Sequence, residues 1–534
     1  MLPSAPGVNA QVAPQEVAVN FLTQGEPDSL DPNQISFASA VNAAVVRQVF
    51  EPLLRFDDKL IPQPAAAQSY DVSPDGTLYT FHLRPDARWS DGQPVTAQQF
   101  EFSWKRLLDP GLKAEYAPLF VDAGIVGADD FNSRRVATAD RVGIRAIDST
   151  TLEVRLVQPF GALPDLAALW VGVPLRPDLV GADPDSWAQD PSTYIGNGPF
   201  RLSEWVHQDH LVLVPNPEYV AHLGWPRPAL TRVTVSMASD FQEDFAAFKS
   251  DRRDWIVVPD AEVNTVLNDP ELAKQARQYT ELTTFWVQVN TASPPLDDVL
   301  IRRALAKGID RGALVRDLAA GISLPTTSVL PPGMPGFEAG LGHELAFDAQ
   351  GGRALLAQAG FGNASERKLS FSFPWTPGNL RRAEYLQAQW NDNLGLRVEL
   401  DPMDAPDYQR AIDARQYDLA LGGWSADYPD PQDWFSAVFG CQGAFNRTTY
   451  CNPSFDQLVA RADTGASLQD RLPLYAQAQM MLTQDAPILP LFVRGRLALV
   501  KPWVQATDGG PLPITAQDDY PGSFFLDRVR ILPH

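Results

Sequence analysis

An α/β fold is predicted for this 534-residue chain by three observations. Strand and helix patterns alternate along most of its length. An apolar content of 45% supplies a large core. The late apolar run at 488–500 has the look of a strand returning to an earlier sheet, which would make the first lobe discontinuous. The length exceeds what one hydrophobic core serves, so two or three lobes are expected.

The net charge of −22 and pI near 4.7 argue against nucleic acid or an anionic membrane as partner, because such sites need clustered Lys and Arg. No stretch approaches the roughly 18 to 20 uninterrupted apolar residues of a membrane span. Residues 1–17 lack a basic segment followed by an apolar run, so they do not read as a signal peptide. The expectation is a mature chain whose export signal is already gone. The 47 prolines are scattered, which fits turns in a folded body.

In chain order, 16–22 reads as a strand, 27–32 as a loop and 38–49 as a helix. Ser73-Pro74-Asp75-Gly76 is a tight turn, and the alternation of Tyr79, Phe81 and Leu83 after it predicts a hairpin strand with one buried face. Thr96 and Gln99 have capping-box spacing ahead of a helix whose stripe is Phe100, Trp104, Leu107 and Leu108. Strands follow at 151–157 and from the turn Asn197-Gly198-Pro199-Phe200, then a helix at 241–249 and a strand at 255–258. A second α/β run begins with a strand at 283–289 and a helix after Pro295, on which Ile301, Ala304, Leu305, Gly308 and Ile309 share a face. Helix 348–359 ends at Gly360, Leu369, Phe371 and Phe373 alternate, and helices at 380–393 and 407–415 flank a strand at 397–400. Two more helices, 455–462 and 468–484, precede the final strand.

Phosphate-loop, nucleophile-elbow and zinc-helix motifs do not occur in the sequence. His207 and His210 have no third ligand nearby in sequence and read as solvated surface, so no metal and no cofactor is expected. The 65 carboxylates leave a secreted hydrolase with a carboxylate pair as an alternative that spacing cannot single out. Cys441 and Cys451 stand ten positions apart in a Gly, Asn and Thr rich loop. They read as a loop-closing disulfide of an oxidising compartment, with two unrelated buried thiols as the alternative.

The most informative stretch is 417–431, Tyr-Asp-Leu-Ala-Leu-Gly-Gly-Trp-Ser-Ala-Asp-Tyr-Pro-Asp-Pro. It reads as a buried strand running into a Pro-bounded loop. Its glycines admit another backbone, Trp424 supplies a flat wall, and Asp427 is a fixed negative charge beside both. The functional reading is a cleft for a peptide main chain with Asp427 at the ammonium end. The alternative is that Asp427 only caps its own turn.

Segments 50–56, 72–84, 89–104 and 422–431 resemble the periplasmic oligopeptide- and dipeptide-binding proteins of bacterial ABC importers, extracellular solute-binding protein family 5. The resemblance is carried by Ser-Pro-Asp-Gly-Thr-Leu-Tyr-Thr-Phe-His-Leu-Arg, Trp-Ser-Asp-Gly-Gln-Pro-Val-Thr-Ala and Phe-Ser-Trp-Lys-Arg, and it continues through Asn197-Gly198 to Val500-Lys501-Pro502-Trp503. It implies a periplasmic binding protein-like fold of class II type, cluster C, with three lobes around a hinged ligand cleft. Lobe I would be 15–50, 178–280 and 488–534, lobe II 51–177 and lobe III 281–487. It further implies a non-enzymatic, monomeric periplasmic receptor that hands peptides to the permease subunits of an ABC importer. Asp427 would meet the ligand ammonium, and Gly423 and Ser425 would offer main-chain groups. Tyr116 and Phe37 or Ala38 would be walls by position. The placement of Cys441 and Cys451 matches a disulfide of dipeptide-binding relatives. Leu421 stands where some relatives have an arginine, and Ser36 where they have an acidic residue. A nickel chelate, haem, opine or sugar is the alternative ligand within the same fold.

Overall fold

Two long strands, Ala276–Val289 and Ile488–Val500, lie side by side through the middle of an 11-stranded mixed sheet. The computed structural model describes residues 15–22, 25–36, 39–222, 224–318, 321–361, 368–465, 467–510, 512 and 525–534. The pairing of the two long strands is interrupted between Thr280 and Thr284, and this break divides the sheet. On one side follow Trp255–Val258, Glu16–Asn20, Arg232–Ser236, His210–Pro215 and Phe200–Val206. On the other follow Leu419–Ser425, Lys368–Pro374 and Arg397–Met403, and the short strand Leu324–Pro325 pairs with Ile488–Val500 off this order. Glu281 sits in the break, buried, with Arg494 Nε at 3.4 Å and Arg496 Nε against its carboxylate.

The final run does return to an earlier sheet, since Leu497–Val500 pair with Trp255–Val258 near the beginning of the fold. The strand expected at 283–289 instead starts at Ala276. Its first half, Ala-Arg-Gln-Tyr-Thr-Glu, is largely polar and only partly buried, so the apolar signal that marks its second half is missing there.

A separate four-stranded antiparallel sheet is built from Ala67–Val72, Leu78–Leu83, Thr151–Arg155 and Ile144–Ala146. Tyr79, Phe81 and Leu83 are its buried face, as the alternation predicts. Helix Ala97–Leu107 packs on it with Phe100, Trp104 and Leu107 buried. The Thr96 amide donates to Gln99 Oε1 at 2.7 Å, completing the capping box. The Trp104 indole donates to the Gly172 carbonyl at 2.8 Å, so its burial leaves no polar atom unsatisfied.

Three apolar cores bear on function. The first runs through segments between 17 and 255 and includes Tyr428, Ala498, Val500, Val504, Leu526, Val529 and Ile531. The second gathers Val287, Leu305, Phe371, Phe373, Leu386 and Trp390 with Leu419, Leu421, Leu489 and Leu491. The third joins Leu282, Trp286 and Trp424 to Trp434, Phe435, Phe455 and Tyr475. Among the described residues no helix is long and apolar enough to cross a membrane.

Candidate functional site

Strand Leu419–Ser425 is half covered. On one edge it pairs antiparallel with Thr283–Val289 throughout. On the other, Lys368–Pro374 reaches only Leu419 and Ala420. The Ala426 amide donates to the Leu282 carbonyl at 2.9 Å, which fixes the phase of the ladder. Even-numbered residues exchange bonds with the neighbouring strand, and Leu421, Gly423 and Ser425 turn their N–H and C=O outward. The Leu421 carbonyl is taken by the Tyr408 hydroxyl. Beyond it, Gly423 and Ser425 are exposed, and among the described residues no strand pairs with them on that edge. This is a two-residue socket for another extended backbone.

Gly423 is required for a local reason. A Cβ there would meet Thr284 O at 3.0 Å and Phe285 Cδ1 at 3.1 Å. Ser425 shares a 2.7 Å hydrogen bond with the Thr283 hydroxyl, which leaves its main chain facing the socket. Trp424 points the other way into the third core. Its ring lies 4.8 Å from Phe445, and its indole donates to Asp433 Oδ2 at 2.9 Å. It is therefore a brace for the strand as much as a wall.

Asp427 follows at the end of the strand, 5% exposed. Its amide donates to the same Asp433 Oδ2 at 3.0 Å, so the carboxylate that caps this turn is that of Asp433. Burial pushes the Asp433 carboxyl well above the usual range, and the charge of Asp427 pushes it further. Three residues on from Asp427, Asp430 is held by Arg471 through a bidentate pair, both bonds 2.7 Å. Burial pulls the Arg471 guanidinium down, and Asp430 and Tyr475 reverse that to leave it raised. Asp463 takes the Tyr475 hydroxyl at 2.6 Å and is pushed up to about 6 by burial. Asp165, on the turn Leu163–Leu166, is raised by burial and by Asp430. The socket thus leads into a buried region whose electrostatics are dominated by carboxylates.

The spacing Asp427, Asp430, Asp433 was the available signal for this cluster, but Arg471 and Asp165 come from far along the chain and had none. Tyr116, expected as a wall, is 2% exposed in the first core with its ring 5.0 Å from Trp170. Phe37 and Ala38 lie outside the described residues. Ser36 bonds Ser39, Oγ to Oγ at 2.8 Å. His207 pairs with Glu26 at 2.5 Å, as a surface residue would. Cys441 and Cys451 form a disulfide, with Cα atoms 4.5 Å apart.

Beside Gly423 lies a cavity of about 210 Å³ whose lining includes Phe285, Phe492, Asn379, Arg382, Arg494 and Asp260. Sequence reading did not find it, because its lining comes from five separate segments.

The profile of the bacterial extracellular solute-binding proteins, family 5 middle region, matches residues 62–446. The chain belongs to that family. It is 30% identical over 502 residues to the periplasmic oligopeptide-binding protein OppA of Salmonella typhimurium, covering 91% of this chain and 88% of that one. To OppA of Bacillus subtilis it is 28% identical, covering 89% and 87%. Among solved structures, the murein tripeptide-binding protein MppA in its unliganded open form matches with a TM-score of 0.86 at 26% identity, over 98% of each chain. Haemophilus influenzae OppA in complex with RPPGFSPFR matches at 0.70 and 25% identity, over 98% and 99%.

Proposed function

We propose that this family-5 protein is a periplasmic receptor that captures peptides between its lobes and passes them to an ABC importer. The observation that carries the reading is the open backbone socket at Gly423 and Ser425 running directly into buried Asp427. An extended ligand adds to the strand edge through main-chain bonds worth about 1 kcal/mol each, which are indifferent to side-chain identity. Its ammonium then lies beside Asp427, where a cation relieves the repulsion between Asp427 and Asp433. Closure follows because the ligand binds better when both lobes touch it. The break at Thr280 to Thr284 in the two long strands is the natural hinge, with lobe I on one side and lobe III on the other. The names of the oligopeptide-binding relatives support a peptide as ligand, and the protein acts as a monomer. A relative 28% identical over 96% of this chain is named as a probable deoxycholate-binding protein, so an amphipathic anion is the second ligand class.

Mass spectrometry of ligand released from purified protein tests this. Short peptides, retained intact on incubation, are expected. Truncated products would point to hydrolysis, and a released sterol acid in place of peptide would favour the second reading.

A further inference from the structure

Where the segment after the four-stranded sheet meets the acidic wall of the socket, two glycines and one arginine stem pack without a gap. The Gly161 amide donates to the Asp463 carbonyl at 3.0 Å. A Cβ on Gly161 would stand 2.6 Å from the Gly465 carbonyl oxygen and 3.0 Å from Arg471 Cδ, and one on Gly465 would stand 2.6 Å from Arg471 Cγ. Glycine at both positions lets the chains come this close. The two sides belong to different cores. Phe160, Ala162, Leu163 and Leu166 pack in the first, and the Tyr79 hydroxyl, from the four-stranded sheet, donates to the Phe160 carbonyl at 3.0 Å. Ala462 and Tyr475, which flank Gly465 and Arg471 in sequence, pack in the third.

The clamped arginine also backs the turn that carries Asp427. Arg471 Nε donates to the Ala462 carbonyl at 3.0 Å, Nη1 and Nη2 to Asp430 at 2.7 Å each, and Nη2 to the Tyr475 hydroxyl at 2.9 Å, so four of its five N–H donors are committed. Its charge is answered by Asp430. Asp165, 8% exposed on the turn Leu163–Leu166, faces this closed pair as a second carboxyl. The groups around it are Asp430 from the socket turn, Arg471 from helix Leu468–Asp485, and Tyr70 and Tyr79 from the four-stranded sheet, with Asp463 and Tyr475 beside Arg471. Ionised, Asp165 is a buried excess charge next to Asp430; protonated, it packs without that cost.

We propose that the contact of Gly161 with Gly465 and Arg471 is a latch, shut while Asp165 carries a proton and sprung when that proton leaves. It ties the turn of Asp427 to the four-stranded sheet, and so makes the stiffness of the acidic wall depend on ambient pH. In the shut latch, burial and then Asp430 hold the Asp165 carboxyl well above its ordinary 3.8, with Arg471 opposing them. In the sprung latch Asp165 meets water and returns to the ordinary range. The shut form therefore binds the extra proton, so acid closes the latch and rising pH opens it. No ligand enters this scheme, and it stands apart from the peptide reading.

Amide exchange of the ligand-free protein tests it, expressed as protection factors so that the intrinsic pH dependence of exchange cancels. Between about pH 5 and about pH 8 the wild-type Gly161 amide is expected to lose about tenfold or more of its protection, one proton allowing up to about tenfold per pH unit. Asp165→Asn, a neutral stand-in for the protonated acid, is expected to keep high protection at both pH values. Gly161→Ala, whose methyl meets the Gly465 carbonyl, is expected to show low protection at both. Asp463 titrates in the same window, at about 6, and remains in both variants. Unchanged wild-type protection overturns the proposal. So does a loss that survives in Asp165→Asn, which would assign the switch to Asp463 or another group. Protection of strand Trp255–Val258 shows which variants are folded. If Gly161→Ala is not among them, the comparison of wild type with Asp165→Asn decides alone.

Discussion

Around Asp427, carboxylates at 427, 430 and 433 crowd into seven buried residues, with Asp165 and Asp463 behind them and Arg471 binding them into the core. Around Arg382, a guanidinium faces a cavity of about 210 Å³ between two phenylalanine rings. The first region is dense and its hydrogen bonds interlock through single oxygens such as Asp433 Oδ2. The second is roomy, and its charges come from separate segments. The difference teaches that the two regions beside the strand edge at Gly423 and Ser425 are built differently, one dense and acidic, the other roomy and lined by two arginines and one aspartate.

The largest effect on this contrast is expected from Arg471→Met. It leaves Asp430 buried without its partner, at a cost of about 3 to 5 kcal/mol in chemical denaturation. A loss below about 1 kcal/mol would mean that the acidic end does not depend on this pair. Next comes the Cys441–Cys451 bridge, which closes a loop of sequence separation 10. Replacing both cysteines with serine is expected to remove roughly 2.5 to 3 kcal/mol by the loop-entropy estimate. Peptide affinity of the folded fraction should fall as well, because Phe445 inside the closed loop packs against Trp424 on the socket strand. Gly423→Ala probes the middle. The added methyl meets Phe285 and Thr284 O, so peptide affinity should fall by on the order of one hydrogen bond, about 1 kcal/mol, in calorimetry, and the melting temperature should fall as well because the backbone carbonyl of Thr284 must give way.

The subtlest difference concerns pH. Asp463 holds its proton up to about 6 in the folded protein against an ordinary value of 3.8. The folded state therefore binds more protons than the unfolded chain between these values, and stability falls as pH rises through that window. Asp165 and Asp433 are shifted in the same direction, so the acidic end as a whole is relieved by acid. Denaturation at pH 4.5 and 7 should show this trend, and Asp463→Asn should flatten it. A steeper slope in the variant would contradict the assignment.

Much of this was legible in the sequence because it is local. The capping box at Thr96 and Gln99, the hairpin face at Tyr79, Phe81 and Leu83, and the Gly-Gly-Trp-Ser-Ala-Asp strand all declare themselves within a few residues. The break at Thr280 to Thr284 was not, because a register shift between two strands some 200 residues apart has no local periodicity. Arg382 was equally silent. Its neighbours on the helix identify it only as a polar position, and its place is set by Phe285 and Phe492 on two other strands. Tyr116, placed by position as a wall, is buried beside Trp170, a packing that position alone does not reveal.

Calorimetry of tetra-alanine against its N-acetyl form measures directly whether Asp427 meets a ligand cation. Acetylation removes the ammonium and is expected to cost the wild type about 100-fold or more in affinity, and Asp427→Ala little. If the wild type binds both forms equally well, Asp427 does not receive a ligand cation and the reading of this cleft is wrong.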